Sequence, residues 1–295
     1  MKLKNIPVNR ITAVFIALFI AMFSMNFSFD TNASNTSIKY SIYNAKTGSY
    51  IDEYTLNALE VDNNANTVST YASTDDGRFI DWSKSGVVKI MTQIGFRGTG
   101  FVVDSHTIAT AAHVVFDSAQ YHTIPITSIY LFDKNGNKTL EATPVECHVP
   151  SLYWCRDNLD YALITVKEDL SSYCCFDLGV VCDSIVNKNQ NVKISGFPKY
   201  HNENIVNTDT VHNMYSGTAV ITRVTDGGTN RVYYQNVNTY GGDSGSPVYI
   251  ENNYYGEKYN TVVAIHTSSE GTNKYGTRIT TDILHFYHNN RNMNW

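Results

Sequence analysis

From about Ile80 onward, short apolar runs alternate with turn residues. VVKIMTQI, GTGFVV, TIATAAHVV, ITSIYLF, YALITV, VKISGF, SGTAVITRV, RVYYQNV, SPVYI and TVVAIHT are rich in β-branched and aromatic side chains. Their length and composition favour strands over helices. The breaks carry Asp-Lys-Asn-Gly, Asp-Gly-Gly-Thr and Glu-Asn-Asn, which favour turns. Many short strands punctuated in this way predict an all-β fold, either a sandwich or a pair of barrels. Only the stretch Thr281 to Asn289, with Ile283, Leu284, Phe286 and Tyr287, has helical spacing.

The N-terminal segment follows another pattern. Lys2, Lys4 and Arg10 precede an apolar run from Ile11 to about Phe23, and a polar stretch follows that contains the small residues Thr31-Asn32-Ala33. These are the parts of a secretory signal, and the apolar run is shorter than the about 20 residues a membrane span needs. Residues 1–33 are therefore expected to be a signal peptide, leaving a secreted protein with no membrane attachment. Residues 34–68, rich in Ser, Thr, Asn and Tyr, read as a propeptide or as an N-terminal arm that stays.

Composition narrows the class. With 42% hydrophobic and 17% charged residues, the chain can bury a core and is not disordered as a whole. A net charge of -5 argues against a nucleic-acid partner, which needs a basic footprint. The five cysteines are Cys147, Cys155, Cys174, Cys175 and Cys182, and an odd count leaves at least one without an intramolecular partner. Export would permit Cys147–Cys155 and a bridge from Cys174 or Cys175 to Cys182, but spacing does not choose among pairings. Together with His148 they match no zinc-ligand spacing, so no metal is expected.

Three stretches carry chemistry. In Tyr240-Gly241-Gly242-Asp243-Ser244-Gly245-Ser246-Pro247 the glycines permit a tight turn that exposes a serine hydroxyl and leaves backbone N–H groups of Gly242 and Ser244 to face an oxyanion. The bland alternative is a Gly/Ser turn between strands. In Thr110-Ala111-Ala112-His113 small residues crowd one side of a histidine and leave room for its ring. In Asp160-Tyr161-Ala162-Leu163-Ile164 an aspartate heads an apolar strand, where it is either a turn residue or the carboxylate that fixes an imidazole tautomer.

Together these motifs become specific. The order His113, Asp160, Ser244, with TAAH, DYAL and GDSGSP, resembles the chymotrypsin-like serine proteases and not the orders found in subtilisin-like enzymes or α/β-hydrolases. VNTYGGDSGSPVY, VVAIHT and YGTRIT resemble the glutamyl endopeptidases of Bacillus and staphylococci. The resemblance implies two six-stranded antiparallel Greek-key barrels with a short C-terminal helix. Residues 69–187 would form the first barrel, with His113 and Asp160. Residues 188–295 would form the second, with Ser244 and the specificity pocket. It implies His113, Asp160 and Ser244 as a catalytic triad needing no cofactor, with Gly242 and Ser244 N–H groups as the oxyanion hole.

The resemblance also implies a substrate class. Asn238 stands where trypsin-like enzymes carry a carboxylate, which argues against basic substrates. Thr239 and His266 match the hydroxyl and imidazole that hold a substrate carboxylate, and a protonated imidazole would add charge. Thr267, Ser268 and Ser269 would form an extended edge for substrate backbone. The expectation is a secreted, monomeric endopeptidase, made as a zymogen, that acts on proteins or peptides after Glu and less readily after Asp. Its mature chain would start between Val61 and Tyr71, with Glu60-Val61 a bond for self-cleavage. Two readings compete: a protease of other or broad specificity, and a non-catalytic, toxin-like binding protein on the same fold. One departure is that Gly98 and Val114 stand where Bacillus members have two bridged cysteines.

Overall fold

The computed structural model describes residues 77–290, apart from short breaks at 94, 120–121, 154–156, 174–175, 181–188, 200–212, 226–228 and 255–256, and the backbone of two strands at 38–44 and 49–56. The signal segment, the expected mature start, Glu60 and four of the cysteines lie outside the described residues.

The strands near the N-terminus are β1 (Ile38–Asn44), β2 (Ser49–Leu56) and β3 (Arg78–Ile80). The first half of the fold follows with β4 (Val87–Thr92), β5 (Gly95–Asp104) and β6 (Thr107–Thr110). A one-turn helix α1 (Ala112–Val115) leads to a small ribbon of β7 (Phe116–Asp117) and β8 (His122–Thr123). Then come β9 (Ile126–Phe132), β10 (Lys138–Ala142), β11 (Pro144–His148) and β12 (Ala162–Val166). These strands form an antiparallel sheet in the order β10-β9-β4-β5-β6-β12-β11. It has seven strands, one more than expected, and curls into a half-barrel left open between β10 and β11.

The second half is closed. β13 (Asp177–Gly179) precedes β14 (Asn191–Gly196), β15 (Tyr215–Val224), β16 (Arg231–Gln235), β17 (Pro247–Tyr254), β18 (Glu257–Glu270) and β19 (Asn273–Arg278). The order β14-β15-β16-β19-β18-β17 returns to β14 and makes a six-stranded barrel. β13 runs parallel to β18, and the β1–β2 hairpin extends that side by pairing Ile42 with Gly179 and Tyr43 with Leu178.

Burial explains the strand patterns. β16 alternates, with Val232 and Tyr234 inward and Arg231, Tyr233 and Gln235 half-buried. β12 is buried at every position because both its faces are covered. The turn at Asp133-Lys134-Asn135-Gly136 works as its chemistry suggests: the Asp133 carboxylate accepts from the N–H groups of Asn135 and Asn137, and Gly136 takes φ +82°. The C-terminal helix α2 (Thr281–Asn290) appears where the spacing placed it and buries Ile283, Leu284 and Tyr287. Its Phe286 ring packs edge-on against Tyr161, 5.1 Å between centroids, so the helix is anchored beside Asp160.

Candidate active site

His113 stands on α1, directly after β6. Ala109, Ala111 and Ala112 are fully buried, so their small side chains let the helix turn pack onto the core. Asp160 follows a single 3₁₀ turn (Asp157–Leu159) and precedes β12. One carboxylate oxygen, Oδ1, accepts the backbone N–H of His113 at 3.0 Å, and the other, Oδ2, lies 2.8 Å from His113 Nδ1. This two-point contact fixes both the ring and its backbone, and it leaves Nε2 as the nitrogen facing away from the carboxylate. The Thr277 hydroxyl on β19 donates to the Asp160 carbonyl at 3.0 Å, so the barrel also holds the aspartate in place.

Ser244 lies in a turn fixed from several sides. The N–H of Asp243 bonds the Tyr240 carbonyl (3.0 Å), and the N–H of Ser246 bonds the Asp243 carbonyl (2.9 Å). Gly242 and Gly245 have φ of +101° and +86°, the left-handed region that favours glycine. Thr99 on β5 is the link between the halves. Its N–H donates to the Ser244 carbonyl (2.8 Å) and its hydroxyl to the Gly242 carbonyl (2.8 Å). Its carbonyl accepts from the Thr110 hydroxyl (2.7 Å), three residues before His113. The structure thus ties the serine turn and the histidine turn to one residue. Among the described residues, no backbone carbonyl takes the N–H of Gly242 or Ser244.

Gly98 and Val114 lie side by side. A Cβ on Gly98 would sit 2.7 Å from Val114 Cγ2. The positions of the missing bridge are therefore adjacent and filled by the valine. Cys147 carries a free thiol. Burial pushes that thiol up to about 12.

Around the serine turn, His266 on β18 exchanges backbone hydrogen bonds with it: Gly245 N–H to the His266 carbonyl (2.8 Å) and His266 N–H to the Ser246 carbonyl (2.9 Å). The imidazole is 3% exposed, and its Nδ1 lies 2.5 Å from Tyr234 Oη. Burial, and then the electrostatic influence of Arg78, His113 and Lys274, push its pKa down to about 3. With so low a pKa the ring is neutral in the neutral pH range, because burial, first, and the neighbouring Arg78 and Lys274 oppose a second proton. Asn238 is exposed and Thr239 half-buried. Among the described residues, no hydrogen bond joins Thr239 to His266. Beyond Ile265, β18 pairs only with β19, so Thr267, Ser268 and Ser269 form an edge, with both serines exposed.

Two residues without a sequence signal complete the site. Arg78 on β3 is wholly buried and reaches Asp243 Oδ2 at 2.6 Å, the Tyr215 carbonyl at 2.7 Å and the Asn238 carbonyl at 3.4 Å. Tyr234 is the buried partner of His266. Among the described residues, no group of acidic, His or Cys side chains could hold a metal.

Residues 98–256 match the family described as trypsin-like peptidase domain. Among solved structures, a Glu endopeptidase in complex with MPD matches at 21% identity and TM-score 0.59, over 73% of this chain and 96% of that one. A thermostable serine protease, AL20, from an extremophilic microorganism matches at 13% identity and TM-score 0.51, over 70% of this chain and 96% of that one. Among curated proteins none matches the sequence.

Proposed function

Because the chain belongs to the trypsin-like peptidase domain family, we propose that it is a secreted serine endopeptidase in which His113, Asp160 and Ser244 act as a triad. The observation that carries this reading is the contact of His113 Nδ1 and backbone N–H with the two oxygens of Asp160. A carboxylate at Nδ1 stabilises the imidazolium that forms when Nε2 takes the proton of the Ser244 hydroxyl. Ser244 Oγ then attacks the scissile carbonyl, and the developing oxyanion is met by the N–H groups of Gly242 and Ser244. His113 returns the proton to the leaving amine, and water hydrolyses the acyl-enzyme by the same steps in reverse order.

For specificity, we propose cleavage after Glu, less readily after Asp. Two features support it: Asn238 in place of a carboxylate, and the position of His266, whose backbone exchanges hydrogen bonds with the serine turn. Thr239 would add a hydroxyl, and the edge at Thr267 to Ser269 would pair with substrate backbone. The resemblance of the fold to a Glu endopeptidase agrees with this reading. A panel of fluorogenic peptides with Glu, Asp, Gln, Lys or Phe before the bond tests it, and the expected result is a rate for Glu well above that for Gln. Broad specificity is the second reading, favoured by the neutral state of His266, which offers a hydrogen bond without a charge. Equal rates for Glu and Gln would select it. Labelling of Ser244 by a fluorophosphonate separates both readings from a non-catalytic binding protein.

A further inference from the structure

His266 is neutral in the neutral pH range, so it brings no positive charge to the region beside Ser244. Arg78 is committed to Asp243 and two backbone carbonyls. A further buried cation is Lys274 on β19, only 7% exposed. It pairs directly with Tyr234 on β16 and with Ser269 on β18. Directly paired residues share one face of an antiparallel sheet, so the three side chains form a row. Tyr234 is completely buried and Ser269 is exposed. The row therefore runs from the barrel interior to the open edge, with the lysine at the boundary. Two residues along β19, about 7 Å away, Gly276 pairs with His266. Gly276 has no side chain, so on this face Lys274 is the first β19 side chain between His266 and the turn that joins β18 to β19. His266 is in turn bonded through its backbone to Gly245 and Ser246 of the serine turn.

The ammonium of Lys274 has three hydrogens to donate. Among the described residues its one hydrogen bond goes to the Gly271 carbonyl at 3.1 Å, in the β18–β19 turn, and no carboxylate pairs with it. Glu270, the acid in the same hairpin, stands opposite Asn273 and is exposed, so alternation puts it on the other face. A buried ammonium with unused donors and no counter-charge is costly. A carboxylate entering from the open edge supplies both the acceptors and the charge. We propose that Lys274 is the specificity-determining charge of the substrate pocket: its ammonium takes the carboxylate of the substrate side chain that precedes the scissile bond. This rests on the reading that the enzyme cleaves after acidic residues, and it names the group that selects them. The flexible stem can keep one hydrogen on the Gly271 carbonyl and turn another to the ligand. A neutral amide of the same shape brings no counter-charge, so Glu is favoured over Gln by charge and not by size.

The test compares kcat/KM of the processed enzyme on peptides with Glu, Gln or Phe before the bond, which separates charge from shape. Lys274→Met keeps an unbranched apolar stem and removes the charge. The expected result is a fall of about 10- to 100-fold for Glu peptides, with Gln and Phe peptides within about threefold of the unmodified enzyme. Lys274→Arg keeps the charge and should retain most of the preference for Glu over Gln. A structural role for Lys274 would lower all three peptides alike, and that result would overturn the proposal. So would a preference for Glu over Gln that survives in Lys274→Met; acidic specificity would then stand, with another group as its source. An unmodified enzyme with equal rates for Glu and Gln would refute acidic specificity itself, and the proposal with it. Should Lys274→Met not fold, the ¹⁵Nζ resonance of Lys274 in the unmodified enzyme, assigned through Lys274→Arg, decides. It should shift on binding a peptidyl phosphonate ending in Glu and not on binding its Gln counterpart; no shift with either would overturn the proposal.

Discussion

The Arg78 guanidinium lies 2.6 Å from the Asp243 carboxylate, and both side chains are completely buried. Arg78 is on β3, outside the barrel path, and Asp243 immediately precedes Ser244. The other contact of the same carboxylate oxygen is the Tyr240 N–H at 2.9 Å, so the pair holds the serine turn at its start. Gly217 makes room for the arginine stem: a Cβ there would lie 3.1 Å from Arg78 Cγ.

Removing one member of this pair leaves a buried charge without compensation. Arg78→Met is expected to cost about 3–5 kcal/mol of stability. It should also lower the fraction of enzyme titrated by a fluorophosphonate, because Asp243 would leave its position. Arg78→Lys should retain part of both, since it keeps the charge but loses the fork that also reaches two carbonyls. Urea unfolding and active-site titration measure the two effects. An Arg78→Met variant with unchanged stability and full labelling would show that the pair does not hold the turn.

Asp160→Asn should keep the fold and lower kcat by about 10⁴-fold, because an amide in place of the carboxylate favours the wrong imidazole tautomer. Ser244→Ala should abolish labelling and turnover. If secreted Ser244→Ala is processed at the same N-terminus as the unmodified protein, N-terminal sequencing will have excluded self-cleavage at Glu60-Val61.

His266 makes stability depend on pH. Its folded pKa is about 3, against an ordinary value of 6.5. Between these values the unfolded chain binds a proton that the folded chain refuses. Stability is therefore complete above about 6.5 and falls as pH drops towards about 3, by up to about 1.4 kcal/mol per pH unit. His266→Gln lacks this contribution. Its urea midpoint should fall less than that of the unmodified protein between about pH 7 and about pH 4.5; equal falls would mean that the imidazole is not held neutral.

Gly245→Ala should be destabilised by at least about 2 kcal/mol and inactive. Gly245 has φ +86°, and a Cβ there would collide with the Thr99 carbonyl and the Thr110 hydroxyl. These two groups bond each other and tie Thr99 to the histidine turn. Thermal melting and peptide hydrolysis check it, and Gly241→Ala is the control, because only the flexible Lys199 side chain comes near a Cβ at 241.

Local patterns in the sequence were sufficient for the strand-rich fold, the helix from Thr281, the turn at Asp133 and the three motifs around His113, Asp160 and Ser244. Each depends on neighbours a few residues apart: alternation along β16, an apolar stripe on α2, and glycines where φ must be positive. Contacts over long sequence separations were decided only by tertiary structure. Arg78 and Asp243 are 165 residues apart, Thr99 and Gly242 143, and Tyr234 and His266 32. Nothing near Arg78 in the chain announces a buried counter-charge, and Tyr234 reads as one more strand aromatic. The charge of His266 belongs to the same class. As a residue type it could be protonated, and the barrel that buries it among Arg78, His113 and Lys274 makes it neutral, because desolvation and like charge both oppose the second proton.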